Sequence, residues 1–143
     1  MTNPADEHLL RRAIALAAHA VTLGDAPYGS LLAGPDGEIL AEAHNTVLSD
    51  NDISAHPELK LARWAARELA PDTAARTTLY TSCQPCGMCT GGIVRSGLGR
   101  VVYALSTEQL TELNPSGTWP TVEQHGPALF DEARVPIETY YRR

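Results

Sequence analysis

The chain has 143 residues, 43% hydrophobic and 20% charged, enough for a single domain over 1–143 with a real core and no second domain to house a partner function. Eleven basic residues against seventeen acidic ones set the net charge at −6, which gives no general attraction for a polyanion and argues against nucleic acid as a partner. No stretch is long and apolar enough to span a membrane, and the opening MTNPADEHLLRRAIALAAHA carries charges inside its apolar run, unlike a secretory signal, so the expected compartment is the cytoplasm.

The spacing of Leu10, Ile14, Ala17 and Val21 predicts an amphipathic helix from Asp6 to Leu23, stopped by Gly24. His8 and His19 on it have no sequence-near partner and read as surface or packing residues. Residues 28–33 and 38–43 are strand candidates around the turn Gly34-Pro35-Asp36-Gly37, hence an antiparallel hairpin. Asn45 follows the second strand. It reads equally as a turn residue and as a short amide able to touch a ligand.

Pro57 suits the first position of a helix, where its missing N–H costs nothing, and Leu59, Ala62, Ala66 and Leu69 form its apolar stripe up to Pro71. Residues 77–81 are β-branched and aromatic, a strand that turns through Ser82-Cys83-Gln84-Pro85 into a second helix starting near Cys86, with Ile93, Val94 and Leu98 on its apolar side. Arg100 to Leu105 reads as a buried strand, and Glu108 to Leu113 as a short helix. The element order gives an α/β chain in three layers, α/β/α, a mostly buried sheet with helices on both faces. Residues 114–127 are broken repeatedly by proline and glycine, as a lid or binding loop is, with Trp119 and His125 as its candidates. Residues 128–143 are expected to pack back onto the domain or onto a partner subunit.

His56-Pro57-Glu58 and Pro85-Cys86-Gly87-Met88-Cys89 carry the chemistry. One imidazole and two thiolates are three of the four ligands zinc takes, and a catalytic zinc leaves its fourth position to water. Cys86 and Cys89, three apart near a helix start, can reach one ion. Glu58 is then free to move a proton. The three cysteines fall within seven residues, a ligand cluster and not a disulfide framework. Cys83 lies off the helical face and reads as packing or as support to the ligands. A dithiol redox site needs no His-x-Glu upstream, and a closed structural zinc site has only the awkward Cys83 to offer as its fourth ligand.

With these motifs in place, the chain resembles the cytidine deaminase superfamily over nearly its whole length. Within it, the stretch Leu79 to Ile93 is similar to the compact branch of guanine and cytosine deaminases, and more distantly to tRNA adenosine deaminases. The resemblance implies a central mixed sheet, Zn2+ held by His56, Cys86 and Cys89, and Glu58 as the catalytic proton carrier. It also implies substrate contacts from Asn45 and from Pro27-Tyr28-Gly29, usually Pro-Phe-Gly, with Gln84 and Trp119 as further candidates. The expected reaction is hydrolytic deamination of a small nucleobase, guanine or cytosine or a close analogue, by a homodimer. A nucleoside deaminase, a tRNA adenosine deaminase and a non-catalytic zinc-stabilised domain are the competing readings. Pro57 stands where the family usually has alanine, and the carboxy-terminal segment does not reproduce the guanine deaminase tail.

Overall fold

The computed structural model of the chain describes residues 2–117 and 121–142. Helix α1 (Pro4–Thr22) opens with a capping box in which the Asp6 N–H donates to Asn3 Oδ1 at 2.9 Å and the Asn3 N–H to Asp6 Oδ2 at 3.3 Å. Strands β1 (Gly29–Ala33) and β2 (Ile39–His44) form the expected antiparallel hairpin. A short α2 (Val47–Asp50) leads to α3 (Pro57–Glu68), and Pro71 starts a further short helix, α4 (Pro71–Ala75). Then follow β3 (Thr78–Cys83), α5 (Gly87–Ser96), β4 (Arg100–Leu105), α6 (Thr107–Leu113) and α7 (Phe130–Tyr141).

The sheet runs β2-β1-β3-β4, antiparallel at β2/β1 and β1/β3 and parallel at β3/β4, a mixed sheet as expected. Alternation along the strands sends Leu31, Ala33, Tyr80 and Val102 to one face, where they pack with Leu9 and Leu10 of α1. Leu32 and Leu79 point the other way, onto Leu61, Ala62 and Ala65 of α3 and Ile93 of α5. Both faces of β1 are therefore buried, and the three layers are α1, sheet, and α3 with α5.

Three details differ from the sequence reading. The buried face of α1 is Leu9, Leu10, Ala13, Leu16, Ala17 and Ala20, while Ile14 and Val21 are about half exposed, at 48% and 55%. The reason is a close crossing: a Cβ on Gly29 would meet the Ala13 carbonyl oxygen and the Ala17 nitrogen at 2.5 Å each. Only small residues fit where helix and strand approach that nearly. Helix α3 likewise turns Leu61, Ala62 and Ala65 inward and leaves Ala66 exposed, and Val94 of α5 faces solvent. Strand β4 buries only Val102, because it is the sheet's outer strand and not a central one.

Among the described residues no helix is long and apolar enough to cross a membrane. Helix α7 buries none of its side chains, and Phe130, Val135, Ile137 and Tyr141 are all exposed. The expectation that the tail packs onto its own domain is not met there.

Candidate active site

Two helix starts build the site. His56 caps α3 and Cys86 caps α5, both in extended backbone conformation, so each side chain projects from the end of its helix. The helices lie close together because α5 carries Gly92 where a Cβ would meet Leu59 Cδ1 at 2.5 Å. That close packing puts Cys86 beside His56 although thirty positions separate the two in the chain.

His56 Nδ1 is 3.6 Å from Cys86 Sγ and 3.5 Å from Cys89 Sγ. A tetrahedral zinc with bonds of about 2.0 Å to nitrogen and 2.3 Å to sulfur separates those atoms by roughly 3.5 Å, so the cluster has the dimensions of a zinc site. Among the described residues these three form the group of metal-binding side chains, their donor atoms within 4.8 Å of one another. Burial pushes the His56 imidazole down, toward the neutral form that ligates. Burial, and then the negative neighbours Glu58 and Cys86, push the Cys89 thiol up. A buried thiol beside a carboxylate is a poor place for a bare thiolate and a good one for a thiolate bound to a dication, which becomes the largest local charge.

Glu58, in the first turn of α3, is 6% exposed and lines the cavity in front of the cluster. Burial raises its carboxyl, opposed by its own backbone N–H and by a hydrogen bond from Ser30. A buried carboxyl on a cavity wall is the kind of group that serves as a general acid or base. The cavity is about 310 Å³, at the small end of ligand pockets, with Tyr28 and Gln84 on its wall and Thr107 and Leu110 reaching in from α6. The α6 residues were not identified from sequence. Gln84 Oε1 accepts from the Thr107 N–H at 3.0 Å, so the residue that follows Cys83 also anchors α6 over the site.

The remaining sequence candidates fall at different distances from this cavity. Cys83 lines it but is outside the metal-binding group, and burial raises its thiol. Pro27 lines the neighbouring groove, which shares Tyr28, Cys83 and Leu110 with the cavity. Asn45 is 2% exposed and not on the cavity wall; its Oδ1 accepts from the Val47 N–H at 3.0 Å and its backbone N–H donates to the Tyr28 carbonyl at 2.9 Å. Lys60, two residues after Glu58, pins the loop around Asn45 by donating to the His44 carbonyl at 2.9 Å and to Thr46 Oγ1 at 2.5 Å. Trp119 lies outside the described residues. His125 is exposed beside Glu123 at 3.0 Å, in a stretch without helix or strand.

Comparison with known proteins agrees with this geometry. Residues 3–105 match the family described as the cytidine and deoxycytidylate deaminase zinc-binding region. The chain is 34% identical to the guanine deaminase of Bacillus subtilis over 92% of this chain and 83% of that one. To a probable cytosine deaminase of Schizosaccharomyces pombe it is 31% identical over 92% and 90% of the two chains. A tRNA-specific adenosine deaminase of Buchnera aphidicola is 34% identical over 80% and 75%. The X-ray structure of the Bacillus subtilis guanine deaminase superposes with a TM-score of 0.78 at 29% identity, over 99% of this chain and 96% of that one. A match over residues 3–105 that spans both motifs and all four strands, together with a superposition over 99% of the chain, places the chain in the cytidine and deoxycytidylate deaminase zinc-binding family, as a zinc-dependent deaminase of its nucleobase deaminase branch acting on a nucleobase- or nucleoside-type substrate.

Proposed function

We propose that the protein deaminates a free nucleobase, guanine or cytosine or a close analogue, releasing ammonia. The observation that carries this reading is the small cavity of about 310 Å³ in front of a His-Cys-Cys cluster, with a buried carboxyl on its wall. The likeness to guanine deaminase over 99% of the chain supports it. His56, Cys86 and Cys89 would hold Zn2+ as three ligands. Zinc bound there supplies a water that ionises near neutral pH and serves as nucleophile. Glu58 would take one proton from that water and give it to the ring nitrogen beside the carbon under attack, then take the second from the newly added hydroxyl and give it to the amino group, which leaves as ammonia as the carbonyl forms. Tyr28 offers an aromatic wall for a planar ring, with Pro27 behind it, and its phenol is raised chiefly by burial. Gln84 lends amide N–H groups, its Oε1 being taken by Thr107. Asn45 is kept as a further substrate contact, with its Oδ1 accepting from the Val47 N–H and its side chain buried behind the cavity wall. Trp119 is kept as a further contact from the following loop.

The tRNA reading needs a basic surface, and four of the described arginines are engaged within the chain. Arg12 pairs with Glu42 at 2.6 Å, Arg100 with Asp6 at 2.8 Å and Arg142 with Glu138 at 3.1 Å, while Arg95 donates to the Gly91 carbonyl. We take the working unit to be a homodimer, since a helix as short as α7 is marginal alone in water and leaves Phe130, Val135, Ile137 and Tyr141 uncovered. The deciding experiment is an ammonia-release panel of guanine, cytosine, their nucleosides, adenosine and tRNA, run beside light scattering. Turnover of a free base by a dimer is expected. Activity confined to nucleosides or to tRNA overturns the substrate, and an active strict monomer at micromolar concentration overturns the dimer.

A further inference from the structure

Lysine heads ordinarily stay in water. Lys60 of α3 is half-buried, and its ammonium is spent on the chain instead. It stands one turn after His56, its backbone N–H donating to the His56 carbonyl at 3.0 Å, so the two residues share a side of the helix. Lys60 Nζ donates to the His44 carbonyl at 2.9 Å and to Thr46 Oγ1 at 2.5 Å, one residue to either side of Asn45. Thr46 carries the tie further. Its hydroxyl donates to Asp50 Oδ2 at 2.6 Å, and its N–H donates at 3.1 Å to the carbonyl of Ala55, the residue before His56. Asn45, buried between these contacts, donates its backbone N–H to the Tyr28 carbonyl at 2.9 Å, and Tyr28 is on the cavity wall. One ammonium therefore braces both the backbone that enters His56 and the backbone that carries Tyr28.

We propose that Lys60 is a positioning residue for the substrate: by clamping the backbone on either side of Asn45 onto α3, it sets the Tyr28 wall at a fixed spacing from the metal-binding cluster. The inference rests on the reading of this cavity as the place where a planar ring binds, with Tyr28 as its wall. Tyr28 lies just before β1 and His56 at the start of α3, far apart in the chain, so their spacing depends on ties between elements. An ammonium suits such a tie. It has three N–H donors and no acceptor, and its bonds to the His44 carbonyl and the Thr46 hydroxyl are charge-assisted, stronger than those a neutral donor would make. A small displacement of a binding wall is felt at the substrate even when the displaced tie never touches it.

The test uses Lys60→Met, Thr46→Val, Thr46→Ser, the double variant Lys60→Met/Thr46→Val and Tyr28→Ala. Each is checked for zinc content and unfolding midpoint. It is then assayed, well below its midpoint, on whichever of guanine, cytosine and their nucleosides the wild type turns over fastest. Lys60→Met is expected to keep its zinc and to raise KM about tenfold while kcat falls less than about threefold, the pattern of lost binding and not of lost chemistry. The deaminated product, which binds without reacting, should bind Lys60→Met about tenfold more weakly in titration calorimetry. Thr46→Val should raise KM about threefold and Thr46→Ser, which keeps the hydroxyl, should restore it; this pair carries the test if Lys60→Met folds poorly. The rise in the double variant should fall short of the product of the single rises, since the two changes remove one contact in common. A lowered midpoint beside wild-type KM and product affinity, in both Lys60→Met and Thr46→Val, makes Lys60 a brace of the fold alone and overturns the inference. So does loss of zinc from Lys60→Met, which would place its role at the metal ligand. Tyr28→Ala separates a failure of the clamp from a failure of the site, because it removes the wall itself and should raise KM at least about tenfold. Wild-type KM in Tyr28→Ala means that the ring does not meet Tyr28, and the positioning role falls with that reading. A raised KM in Tyr28→Ala beside an unimpaired Lys60→Met overturns the positioning role alone.

Discussion

The sheet carries a buried carboxyl on each face, and the two are treated oppositely. On the α1 face Asp6, 2% exposed, receives Arg100 Nη2 on Oδ2 at 2.8 Å, and Arg100 Nη1 and the Tyr80 hydroxyl on Oδ1 at 3.1 and 2.7 Å. The Arg100 hydrogen bond foremost, with help from Tyr80, lowers its carboxyl to about 2 against the cost of burial. On the α3 face Glu58 is acted on first by burial, which raises it, with only its own backbone N–H and Ser30 opposing. The same functional group is locked as an anion where it holds two elements together and left able to take a proton where the cavity opens. The difference is one of partners: a guanidinium fork on one face, a neutral hydroxyl on the other.

The largest effects are expected where that difference is erased on the cavity side. Glu58→Gln keeps the size of the side chain but cannot carry the proton, so turnover should fall at least about 10²-fold with zinc content unchanged. Near-normal turnover would show that another group moves the proton. Next comes the cluster itself. Cys86→Ala leaves His56 and Cys89 as two donors, too few to hold zinc firmly, and elemental analysis should find more than half of the metal gone. Retention of most of the zinc would sink the ligand assignment.

How much of this was legible in the sequence follows from how local each constraint is. The metal cluster was legible because ligation demands particular residue types at short spacing, and His56, Cys86 and Cys89 do meet. The strand-turn-strand at Gly34 to Gly37 and the helix starts at Pro57 and Cys86 were equally local. What failed to show depends on partners distant in the chain. Ser30 and Thr81 look like ordinary strand residues until pairing sets them side by side, 51 positions apart. Asp6 meets Arg100 across 94 positions, and nothing near either residue announces it. The inward face of α1 was read in part: Leu10 and Ala17 are buried as expected, but Ile14 and Val21 are exposed, because the close approach of Gly29 turns the small Ala13 and Ala17 to the sheet. Thr107 and Leu110 reach the cavity from α6, which Gln84 anchors through the Thr107 N–H, a contact across 23 positions.

The smallest effect, and the one that sharpens the contrast most, lies on the Asp6 side. Asp6→Asn keeps the shape of the side chain and can still accept from Tyr80, but it removes the charge that Arg100 binds. Arg100 is 45% exposed on its side chain, so water relieves part of the loss, and the cost should be about 2 kcal/mol, or roughly 6 °C in Tm for a chain of this size. The sign of the pH dependence follows from the direction of the shift. Asp6 has its carboxyl lowered in the folded state from 3.8 to about 2, so the folded state binds its proton less readily than the unfolded one does. Its stabilisation is complete above about pH 4 to 5 and is lost as pH falls from there through 2. The gap in Tm between wild type and Asp6→Asn should therefore stay constant from pH 8 to about pH 5 and narrow below it. A gap that widens toward low pH would mean that Asp6 is not held as an anion. Turnover at pH 7 should remain within about twofold of wild type, because the clamp and the cavity occupy opposite faces of the sheet. A tenfold fall in kcat in a fully folded Asp6→Asn would show instead that the two carboxyls communicate through the strands between them, and that the division of labour drawn from their partners is wrong.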